Sequence, residues 1–541
     1  MAFVPRTKTC GELRAAHTGE IVTLNGWAHR VRDLGGVMFV DLRDRTGLVQ
    51  LYFDPNSFPV RPDFRHEACL SVTGKVRERA EETKNSKMAT GDIEVEITGY
   101  TELSPAKPLP FPVSDEEHMQ QVNEELRIKH RYLDLRRPSM FNRLALRADL
   151  IRRIHLYLDA QGFLEVETPI ITKSTPEGAR DYLVPYRLEA GLWYALPQSP
   201  QQYKQLLMVA GIERYYQIAK CFRDESQRAD RQPEFTQLDM ELSFTTQEEI
   251  LTLTEGLLRE AITGVISKFG LEKDPIEPFT RLTYDDALLR YGSDKPDLRF
   301  GLEIWDATDL FRTSEFAVFA NAIEAGGFVR GIRYPGGASL SRKQVSELEE
   351  LAKDAGAKGL GTVMFTAEGI KGSIAKFVDA AAADQLRELS GAVEGDLLLF
   401  VADAFSVSNN VLNRLRLEIG DRLKLRDPRK LAFCWVVDFP LVEWDAENQH
   451  WTPSHHPFTA PKEADMPYIN SDPGRMRADC YDAVCNGTEI ASGSIRIHQP
   501  EMQSRIFDLL GIDAATQQER FGHILEAFSY GPPPHGGIAP G

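Results

Sequence analysis

The chain has 541 residues, of which 42% are hydrophobic and 26% are charged, and its formal net charge is −17. At about 150 residues per domain this length predicts three or four folding units, and the composition excludes global disorder. The longest apolar runs, such as 398–402, fall far short of the roughly 20 residues of a membrane span, and the first residues lack the apolar stretch of a secretion signal. We therefore expect neither membrane insertion nor export.

The cysteines indicate a reducing compartment. Six cysteines are too few for a disulfide scaffold in a chain of this length, and no two form a C-x-x-C pair. Cys480, Cys485 and His498 could be imagined as zinc ligands, but a single five-residue spacing favours buried strand cysteines. We predict a cytoplasmic protein without structural zinc. The net negative charge opposes non-specific binding of nucleic acid, so any such binding requires local patches.

The first hundred residues alternate short β patterns with turn residues, in the runs 22–27, 37–43, 48–53, 69–76 and 93–97. About five short strands in about a hundred residues predict a small closed barrel, for which the oligonucleotide-binding (OB) fold is the commonest solution. Residues 105–112 then contain four prolines, as is typical of a semi-rigid linker. We predict a barrel domain over 1–105 and a hinge over 106–137.

The next segment predicts a mixed helix and strand domain over 138–299. Apolar residues recur at helical spacing from Ser139 to Gly162 and again over 247–269. FLEVETP reads as a strand closed by Pro169, and 212–244 reads as two long strands around a charged loop.

A region of different character follows. Between about 300 and 420, Gly-rich and Ala-rich stretches surround a predicted helix at 341–355 and predicted strands at 362–366 and 397–402. We predict an inserted α/β domain over 300–420. The preceding domain would resume over 421–541, with strands within 431–443 and 478–498 and a helix over about 515–528.

The densest polar cluster is FRDESQRADRQPEF at 222–235, which leads into a strand with one apolar and one acidic face. Asp239 and Glu241 lie on the acidic face, beyond the tip of the hairpin. A merely solvated tip does not explain why the strand keeps presenting carboxylates. A guanidinium at the base of the loop can bind a phosphate through two hydrogen bonds, and the carboxylates can bind an ammonium group. We favour a binding site over a solvated hairpin.

A second hairpin is predicted at 478–497, where Asn486-Gly487 is a strong two-residue turn signal. Pairing outward from this turn places Asp482 opposite Ala491, and puts Asp482 and Glu489 on one face about 5–7 Å apart at the backbone. Such a pair can hold Mg²⁺, although two solvent-facing acids explain it equally well. Strict alternation turns Arg496 to the other face, unless Ser492-Gly493 forms a bulge or the strand crosses a sheet corner.

Two polar loops, 174–181 (STPEGARD) and 197–204 (PQSPQQYK), complete the candidate chemistry. A helix cap explains Ser199-Pro200 on its own. The nearby Gln201 and Lys204 make the second loop a candidate binding site. The sequence contains no Walker-type loop and no G-x-G-x-x-G that opens a helix after a strand, which disfavours those nucleotide-binding modes.

Together these segments resemble the bacterial-type aspartyl-tRNA synthetases, which are class II enzymes. The match runs through nearly the whole chain in the order of the family, and its blocks include WAHRVRDLGGVMFVDLRDRTGLVQ (27–50), RYLDLRR (131–137), FLEVETPIITKSTPEGARDYLVP (163–185), ALPQSPQQYKQLLMVAG (195–211), CFRDESQRADRQPEFTQLDMELSF (221–244), YGSDKPDLRFG (291–301), HHPFTAP (455–461), GSIRIH (493–498) and PPHGGIA (533–539).

The resemblance implies an α+β multidomain protein. Its parts would be an N-terminal OB-fold β-barrel that binds the anticodon, a hinge, a class II antiparallel β-sheet catalytic domain flanked by helices, and an α/β insertion domain. The implied reaction joins aspartate to tRNA(Asp) in two steps, with ATP and Mg²⁺. The resemblance also implies a homodimer that pairs near Pro169. The sequence leaves open whether tRNA(Asn) is charged as well.

The roles of the family fall on matching positions of this chain. Arg223 would clamp the α-phosphate and the aspartate carboxylate, Asp239 would bind the ammonium group, and Lys204 and Arg496 would select the side-chain carboxylate. The other implied positions are Glu177, Ser199, Gln201, His455 and His456 around aspartate, Glu225, Gln232 and Phe235 at ATP, and Asp482 and Glu489 at Mg²⁺, with Glu489 also facing ATP.

The resemblance implies an anticodon site on the barrel. Phe39 and Gln50 match the anticodon-reading positions, and Arg30 and Arg32 would meet phosphates or bases. An aromatic ring on an exposed barrel face suits stacking on unpaired bases. Without the resemblance, Phe39 would more often be a core residue.

The sequence departs from the family at its end. The family continues after PPHGGIA with a Gly-Leu-Asp-Arg type segment and a helix, whereas the given chain ends at Gly541, before the arginine expected at the γ-phosphate. We expect a truncated sequence rather than an evolved loss, and impaired adenylate formation by the chain as written. One competing hypothesis is a non-catalytic or regulatory tRNA-binding relative. Another is an asparagine-forming amide synthetase, and the N-terminal barrel disfavours this second alternative.

Overall fold

The structure is a computed structural model that describes residues 4–60, 62–174, 179–227 and 232–541. The chain divides into two compact units, Met1–Ala148 and Asp149–Gly541. In the described ranges, every helix is too short or too polar to serve as a membrane span.

The first unit contains a closed five-stranded barrel. Its strands are β1 (Ile21–Leu34), β2 (Val37–Asp44), β3 (Gly47–Phe53), β4 (Cys69–Glu78) and β5 (Ile93–Ser104). They pair in the order β1-β2-β3-β5-β4, and all pairs except β3–β5 are antiparallel. The alternation of apolar residues sends Val40, Leu42 and Leu51 into the barrel core. The predicted OB barrel is confirmed, and the short helices α1 (Glu124–Lys129) and α2 (Arg131–Asp134) follow it.

The strands that come after the barrel are β6 (Leu164–Glu165), β7 (Leu183–Pro185), β8 (Trp193–Ala195), β9 (Arg214–Phe222), β10 (Glu234–Ser243), β11 (Thr280–Thr283), β12 (Trp305–Asp306), β13 (Phe328–Tyr334), β14 (Gly361–Thr366), β15 (Gly369–Lys371), β16 (Leu397–Asp403), β17 (Phe433–Val437), β18 (Val442–Asp445), β19 (His450–Pro453), β20 (Cys480–Cys485), β21 (Thr488–Ile495) and β22 (His535–Pro540).

The remaining α-helices are α3 (Pro138–Ala160), α4 (Gln201–Val209), α5 (Gln247–Phe269), α6 (Tyr284–Tyr291), α7 (Thr308–Phe311), α8 (Ala317–Glu324), α9 (Arg342–Asp354), α10 (Ala380–Ser390), α11 (Phe405–Arg422), α12 (Pro500–Leu509) and α13 (Ala514–Phe528).

The second unit is built on an eight-stranded sheet in the order β11-β17-β20-β21-β22-β10-β9-β6. The pairs are antiparallel except at the two edges, where β11 pairs with β17 and β6 pairs with β9 in parallel. One face packs on α5 through residues such as Ile250 and Leu257 around Trp435. Helix α5 begins where the Thr246 side chain accepts a hydrogen bond from the Glu249 amide, and it ends at Gly270 in the left-handed region. The predicted antiparallel sheet flanked by helices is confirmed.

A separate five-stranded sheet in the order β12-β13-β16-β14-β15 lies inside the range predicted for the insertion. Along β16 the side chains alternate between two cores, with Leu397 and Leu399 on one side and Leu398 and Phe400 on the other. A strand with helices against both faces reads as a continuous apolar run, as 397–401 does. The predicted boundaries 1–105, 106–137, 138–299, 300–420 and 421–541 stay predictions.

Two predicted strands are shorter than expected. The strand predicted over FLEVETP is only the two residues of β6. The run 431–443 is divided into β17 and β18, because Asp438 has a positive φ of 61° and Pro440 lacks an amide donor.

Candidate active site

One cavity of about 550 Å³ in the second unit gathers most of the predicted site residues. Its lining includes Ser199, Gln201, Lys204, Arg223, Glu225, Gln232, Phe235, Asp239, His455, His456, Glu489 and Arg496. Asp482 lies behind the lining, in contact with His455. Glu177 lies outside the described residues, as do the charged residues 228, 230 and 231 of the first polar cluster.

The β9–β10 hairpin and the start of α4 form one wall of the cavity. Arg223 follows β9, and its amide donates to the Pro233 carbonyl oxygen across the loop. Its guanidinium carbon lies 5.1 Å from the ring centroid of Phe235, and Nε donates to the Gln198 carbonyl oxygen at 3.3 Å. Ser199 Oγ accepts a hydrogen bond from the Gln201 amide at 3.2 Å, but the cap position of α4 is Pro200, so the predicted serine cap is wrong. One turn later, Lys204 reaches across to β10.

Buried ion pairs connect α4, β10 and Arg496, the residue that follows β21. Lys204 Nζ lies 2.7 Å from Asp239 Oδ1 and 3.2 Å from Glu241 Oε2. Arg496 donates to both oxygens of Glu241, at 2.9 and 3.1 Å. All four residues are at most 3% exposed. Two cations and two carboxylates therefore form a compact neutral network with little access to water.

The carboxylates of this network differ in pKa. Burial raises the pKa of Glu241, but Arg496 and Lys204 outweigh it and lower the pKa to about 2. For Asp239 burial is the larger effect and the pKa is raised. Asp239 Oδ2 is buried and accepts no hydrogen bond from the described residues. That oxygen is an available acceptor for a cationic group of a ligand.

Glu241 lies on the acidic face predicted for its strand, but it was not among the predicted site residues. The available signal was its position two residues after Asp239, which puts both side chains on the same face of β10.

A β-bulge brings Arg496 into the cavity. Asp482 pairs with Ser492, so the predicted pairing with Ala491 is wrong. Val484 pairs with Glu489 while Ala483 pairs with Ala491, which leaves Ile490 as the extra residue. The bulge at Ile490, rather than at Ser492-Gly493, changes the alternation of β21.

As a result of this bulge, Arg496 shares a face with Glu489 and Asp482. Arg496 Nη1 donates to His456 Nε2 and to Ser494 Oγ, both at 2.6 Å. Burial and the nearby Arg496 charge lower the pKa of His456 well below its usual value, so this imidazole is neutral and can accept the bond.

Asp482 and Glu489 occupy different environments on that face. Asp482 is 4% exposed, and its Oδ1 lies 3.2 Å from His455 Nε2. Glu489 lies 2.7 Å from Lys295 Nζ, and both of these side chains are about one-third exposed, at 36% and 34%. Lys295 lines the cavity but was not predicted, because its irregular loop gives no periodic signal.

The carboxylate pair suits Mg²⁺ that arrives with a nucleotide. The described ranges contain no group of three or more His, Cys, Asp or Glu side chains that could hold a metal alone. Mg²⁺ commonly takes only one or two protein carboxylates, and completes its shell with water and substrate phosphates. Asp482 and Glu489 fit that pattern.

The predicted anticodon residues lie on one outer face of the barrel. Arg32 pairs with Phe39 across β1 and β2, and Phe39 pairs with Tyr52 across β2 and β3. The interior neighbours of Phe39 are buried, whereas Phe39 is half-buried against the Tyr52 ring at 5.7 Å. Phe39 is therefore not part of the barrel core.

Polar contacts organise the same barrel face. Arg32 Nη2 donates to Asp41 Oδ1 at 2.6 Å and to Gln50 Oε1 at 3.1 Å. Arg30 is exposed and donates to the Ser114 carbonyl oxygen at 2.9 Å. The face therefore combines cations, an amide and a partly open aromatic ring.

The chain matches known families and proteins over most of its length. Residues 123–541 match the family described as tRNA synthetases class II (D, K and N), and residues 22–103 match the OB-fold nucleic acid binding domain. The chain is 52% identical to the aspartate--tRNA(Asp/Asn) ligase of Rubrobacter xylanophilus, over 99% of this chain and 89% of that protein. It is 49% identical to the aspartate--tRNA ligase of Bacillus licheniformis, over 99% of this chain and 90% of that protein.

A solved structure shares the fold at lower identity. The asparaginyl-tRNA synthetase from Pyrococcus horikoshii complexed with asparaginyl-adenylate superposes with a TM-score of 0.62 at 18% identity, over 100% of this chain and 93% of that chain.

Proposed function

Because the chain belongs to the class II tRNA synthetase family, we propose that it is an aspartate–tRNA ligase, which activates L-aspartate with ATP and transfers it to tRNA(Asp). The observation that carries this proposal is the buried network of Lys204, Arg496, Asp239 and Glu241 at the wall of the cavity. It offers an acceptor for an ammonium group next to two cations for a carboxylate.

Aspartate would bind by forming contacts with the side chains of this network, in place of some of their contacts with one another. Its ammonium group would lie at Asp239 Oδ2, the buried oxygen without a hydrogen bond from the described residues. Its side-chain carboxylate would face Lys204 and Arg496. The amide of asparagine would place N–H donors against these two cations, which is strongly unfavourable in a buried site. Gln201, Ser199, His455 and His456 line the space around the ligand.

Activation requires no general base, since the attacking α-carboxylate is already an anion. Its oxygen forms a bond to the α-phosphorus of ATP, the bond from this phosphorus to the bridging oxygen breaks, and pyrophosphate leaves. Arg223 would stabilise the negative charge that accumulates on the α-phosphate and would orient the attacking carboxylate. Phe235 would stack on adenine beneath this guanidinium, and Glu225 and Gln232 would contact the nucleotide.

Asp482 and Glu489 would hold Mg²⁺, which supplies further neutralisation of the triphosphate when it is bound. In the second step a terminal ribose hydroxyl of the tRNA attacks the carbonyl carbon of the aspartyl-adenylate, and AMP leaves. The barrel face with Arg30, Arg32, Phe39 and Gln50 would bind the anticodon, with its cations at phosphates and Phe39 stacked on an unpaired base.

We also propose that the protein is a cytoplasmic homodimer. In α3, around Pro169 and from β7 to β8, the second unit exposes many large apolar side chains, namely those of Leu156, Leu164, Ile170, Ile171, Leu183, Leu188, Leu192 and Trp193. Thr172 and Ala195 form a β-bridge that joins two of these segments. Exposed apolar patches commonly mark protein interfaces. No disulfide joins the six cysteines, all of which are described, and this supports a reducing compartment.

Aminoacylation of purified tRNA(Asp) and tRNA(Asn) with radiolabelled aspartate tests the proposal. We expect charging of tRNA(Asp), and charging of tRNA(Asn) as well would identify a ligase for both tRNAs. Charging of neither tRNA, together with no aspartate-dependent ATP–pyrophosphate exchange by a version extended past Gly541, would favour the non-catalytic relative. The presence of Lys204, Arg223, Asp239 and Arg496 around one cavity favours the enzyme.

A further inference from the structure

Lys295 is a cation that lines the cavity, and no function has been proposed for it above. It belongs to the segment YGSDKPDLRFG at 291–301, and its Nζ lies 2.7 Å from Glu489 Oε2. The lysine side chain is 34% exposed, so it remains in contact with the open space of the cavity.

The backbone around Lys295 is firmly anchored. Asp297, which is 2% exposed, receives hydrogen bonds from the Arg299 and Arg426 side chains. The fully buried guanidinium of Arg416 donates to the carbonyl oxygens of Asp297, Phe300 and Gly301 at 2.8–2.9 Å. A loop whose carbonyl groups are bound in this way holds one conformation, so the backbone near Lys295 is anchored while its side chain is partly exposed.

The same anchor touches the hairpin that carries Glu489. Gly487 at the tip has a φ of +84°, and a Cβ atom added there would lie 3.3 Å from the Asp297 Cβ. The positive φ favours glycine at the turn, and the tip packs closely against Asp297. Two rigid pieces of backbone therefore bring Lys295 and Glu489 to the same edge of the cavity.

The other cations of the described cavity have different surroundings. Lys204 and Arg496 are buried and held by Asp239 and Glu241, whereas Arg223 lies over Phe235. With the first two assigned to aspartate and Arg223 to the α-phosphate, Lys295 is the described lysine or arginine of the cavity that remains available for the outer phosphates of ATP. Lys295 stands beside Glu489, where those phosphates would have to meet their metal ion.

We propose that Lys295 is a further catalytic residue, which holds Glu489 in the nucleotide-free enzyme and turns to the β- and γ-phosphate oxygens when ATP binds. This inference rests on the proposed function. A metal ion on Glu489 would repel the ammonium group of Lys295, and the oxygens of the outer phosphates would offer that group new partners. An exposed ion pair contributes little to stability, so the exchange costs little.

Calorimetric titration of the full chain with ATP, pyrophosphate and AMP in the presence of Mg²⁺ tests this inference. In Lys295→Ala we expect the dissociation constants of ATP and pyrophosphate to rise about tenfold or more, since a charge-assisted contact is lost. The dissociation constant of AMP should stay within about twofold, because AMP lacks the outer phosphates. Lys295→Arg keeps the charge and should restore most of the affinity.

Lys462→Ala is a matched control. Lys462 also pairs with a carboxylate, Asp438, at 2.6 Å, and both partners are 35% exposed, but Lys462 does not line the cavity. This variant should bind all three ligands like the wild type.

Three results would overturn the inference. ATP and pyrophosphate could bind Lys295→Ala as they bind the wild type, AMP could weaken as much as ATP, or ATP could bind more tightly because Glu489 is released. Failure of the wild type to bind ATP would instead refute the proposed function, and the inference with it.

Discussion

The two ends of the cavity, for which we have proposed the binding of the amino acid and of the outer phosphates of ATP, hold their charges in different ways. At the amino-acid end, Lys204 and Arg496 are buried and share two buried carboxylates. At the phosphate end, Lys295 and Glu489 form one ion pair that is about one-third exposed. A buried charge without a partner is very costly, so the first end must be built as a complete network, whereas the second can exchange partners cheaply. Selection of aspartate over asparagine requires cations in fixed positions. Release of pyrophosphate requires contacts to its phosphates that can be broken.

The largest expected effect comes from Arg496→Ala, which breaks the network at the amino-acid end. Loss of this cation should weaken aspartate activation by at least roughly 2 kcal/mol of transition-state binding, and leave Glu241 buried with one partner fewer. Removal of one partner of a buried pair also destabilises the fold by about 3–5 kcal/mol. ATP–pyrophosphate exchange at varied aspartate concentration, together with thermal unfolding, measures both effects.

Arg330→Ala is the matched control for that substitution. Arg330 is equally buried but lies in β13, where it donates to Asn409 and to the Leu289 carbonyl oxygen. The control should lower the melting temperature and leave the KM for aspartate unchanged. An unchanged exchange rate in Arg496→Ala would contradict the assigned role.

A smaller effect is expected from Glu241→Gln, which keeps the shape of the network and removes one negative charge. Weaker hydrogen bonds to Arg496 and Lys204 should cost about 2 kcal/mol of stability at neutral pH. The folded-state pKa of Glu241 is lowered to about 2, below its ordinary 4.5. Its contribution is therefore complete above pH 4.5 and is lost as the pH falls toward 2. Melting temperatures of the variant should fall less than those of the wild type across this window.

Glu67→Gln tests whether the acid dependence of unfolding can change without a change in the cavity. Burial raises the pKa of Glu67, but hydrogen bonds from His29 and Arg43 lower it to about 2. Glu67 lies in the first unit, so its variant should change the acid dependence of unfolding without changing the KM for aspartate. Identical acid profiles for the wild type and Glu241→Gln would argue against an ionised, paired Glu241.

The smallest effect is expected from Phe39→Ala, which should leave both ends of the cavity intact. Loss of base stacking costs about 1–3 kcal/mol, and the lower part of this range applies because Tyr52 already covers part of the ring. The KM for tRNA should rise while the ATP–pyrophosphate exchange rate stays constant. Phe58→Ala removes another half-buried aromatic side chain of the barrel and should affect neither. Equal loss of charging and exchange in Phe39→Ala would indicate a folding role.

Local patterns in the sequence predicted much of the architecture. Helix α5 occupies the predicted range 247–269, and the Asn486-Gly487 turn has the positive φ angles, 53° and 84°, of a tight hairpin. These features depend on residues close together in the chain. Helix α11 was missed although Val411, Leu415 and Ile419 recur at helical spacing, because the mixed character of the surrounding region hid the pattern.

The geometry of the site depended on distant contacts that the sequence does not display. The bulge at Ile490 has no glycine to signal it, yet it decides which face Arg496 occupies. The place of Lys295 depends on Arg416, which lies more than a hundred residues later and binds the backbone of its loop. Glu241, in contrast, could have been predicted as a site residue, because strand alternation alone places it on the same face as Asp239.

The most direct test of the fixed cation pair is ATP–pyrophosphate exchange by the full chain with aspartate and with asparagine, compared as kcat/KM. A site with two buried cations aimed at the side-chain carboxylate should prefer aspartate by at least about 10³-fold. Comparable exchange with both amino acids would contradict the account.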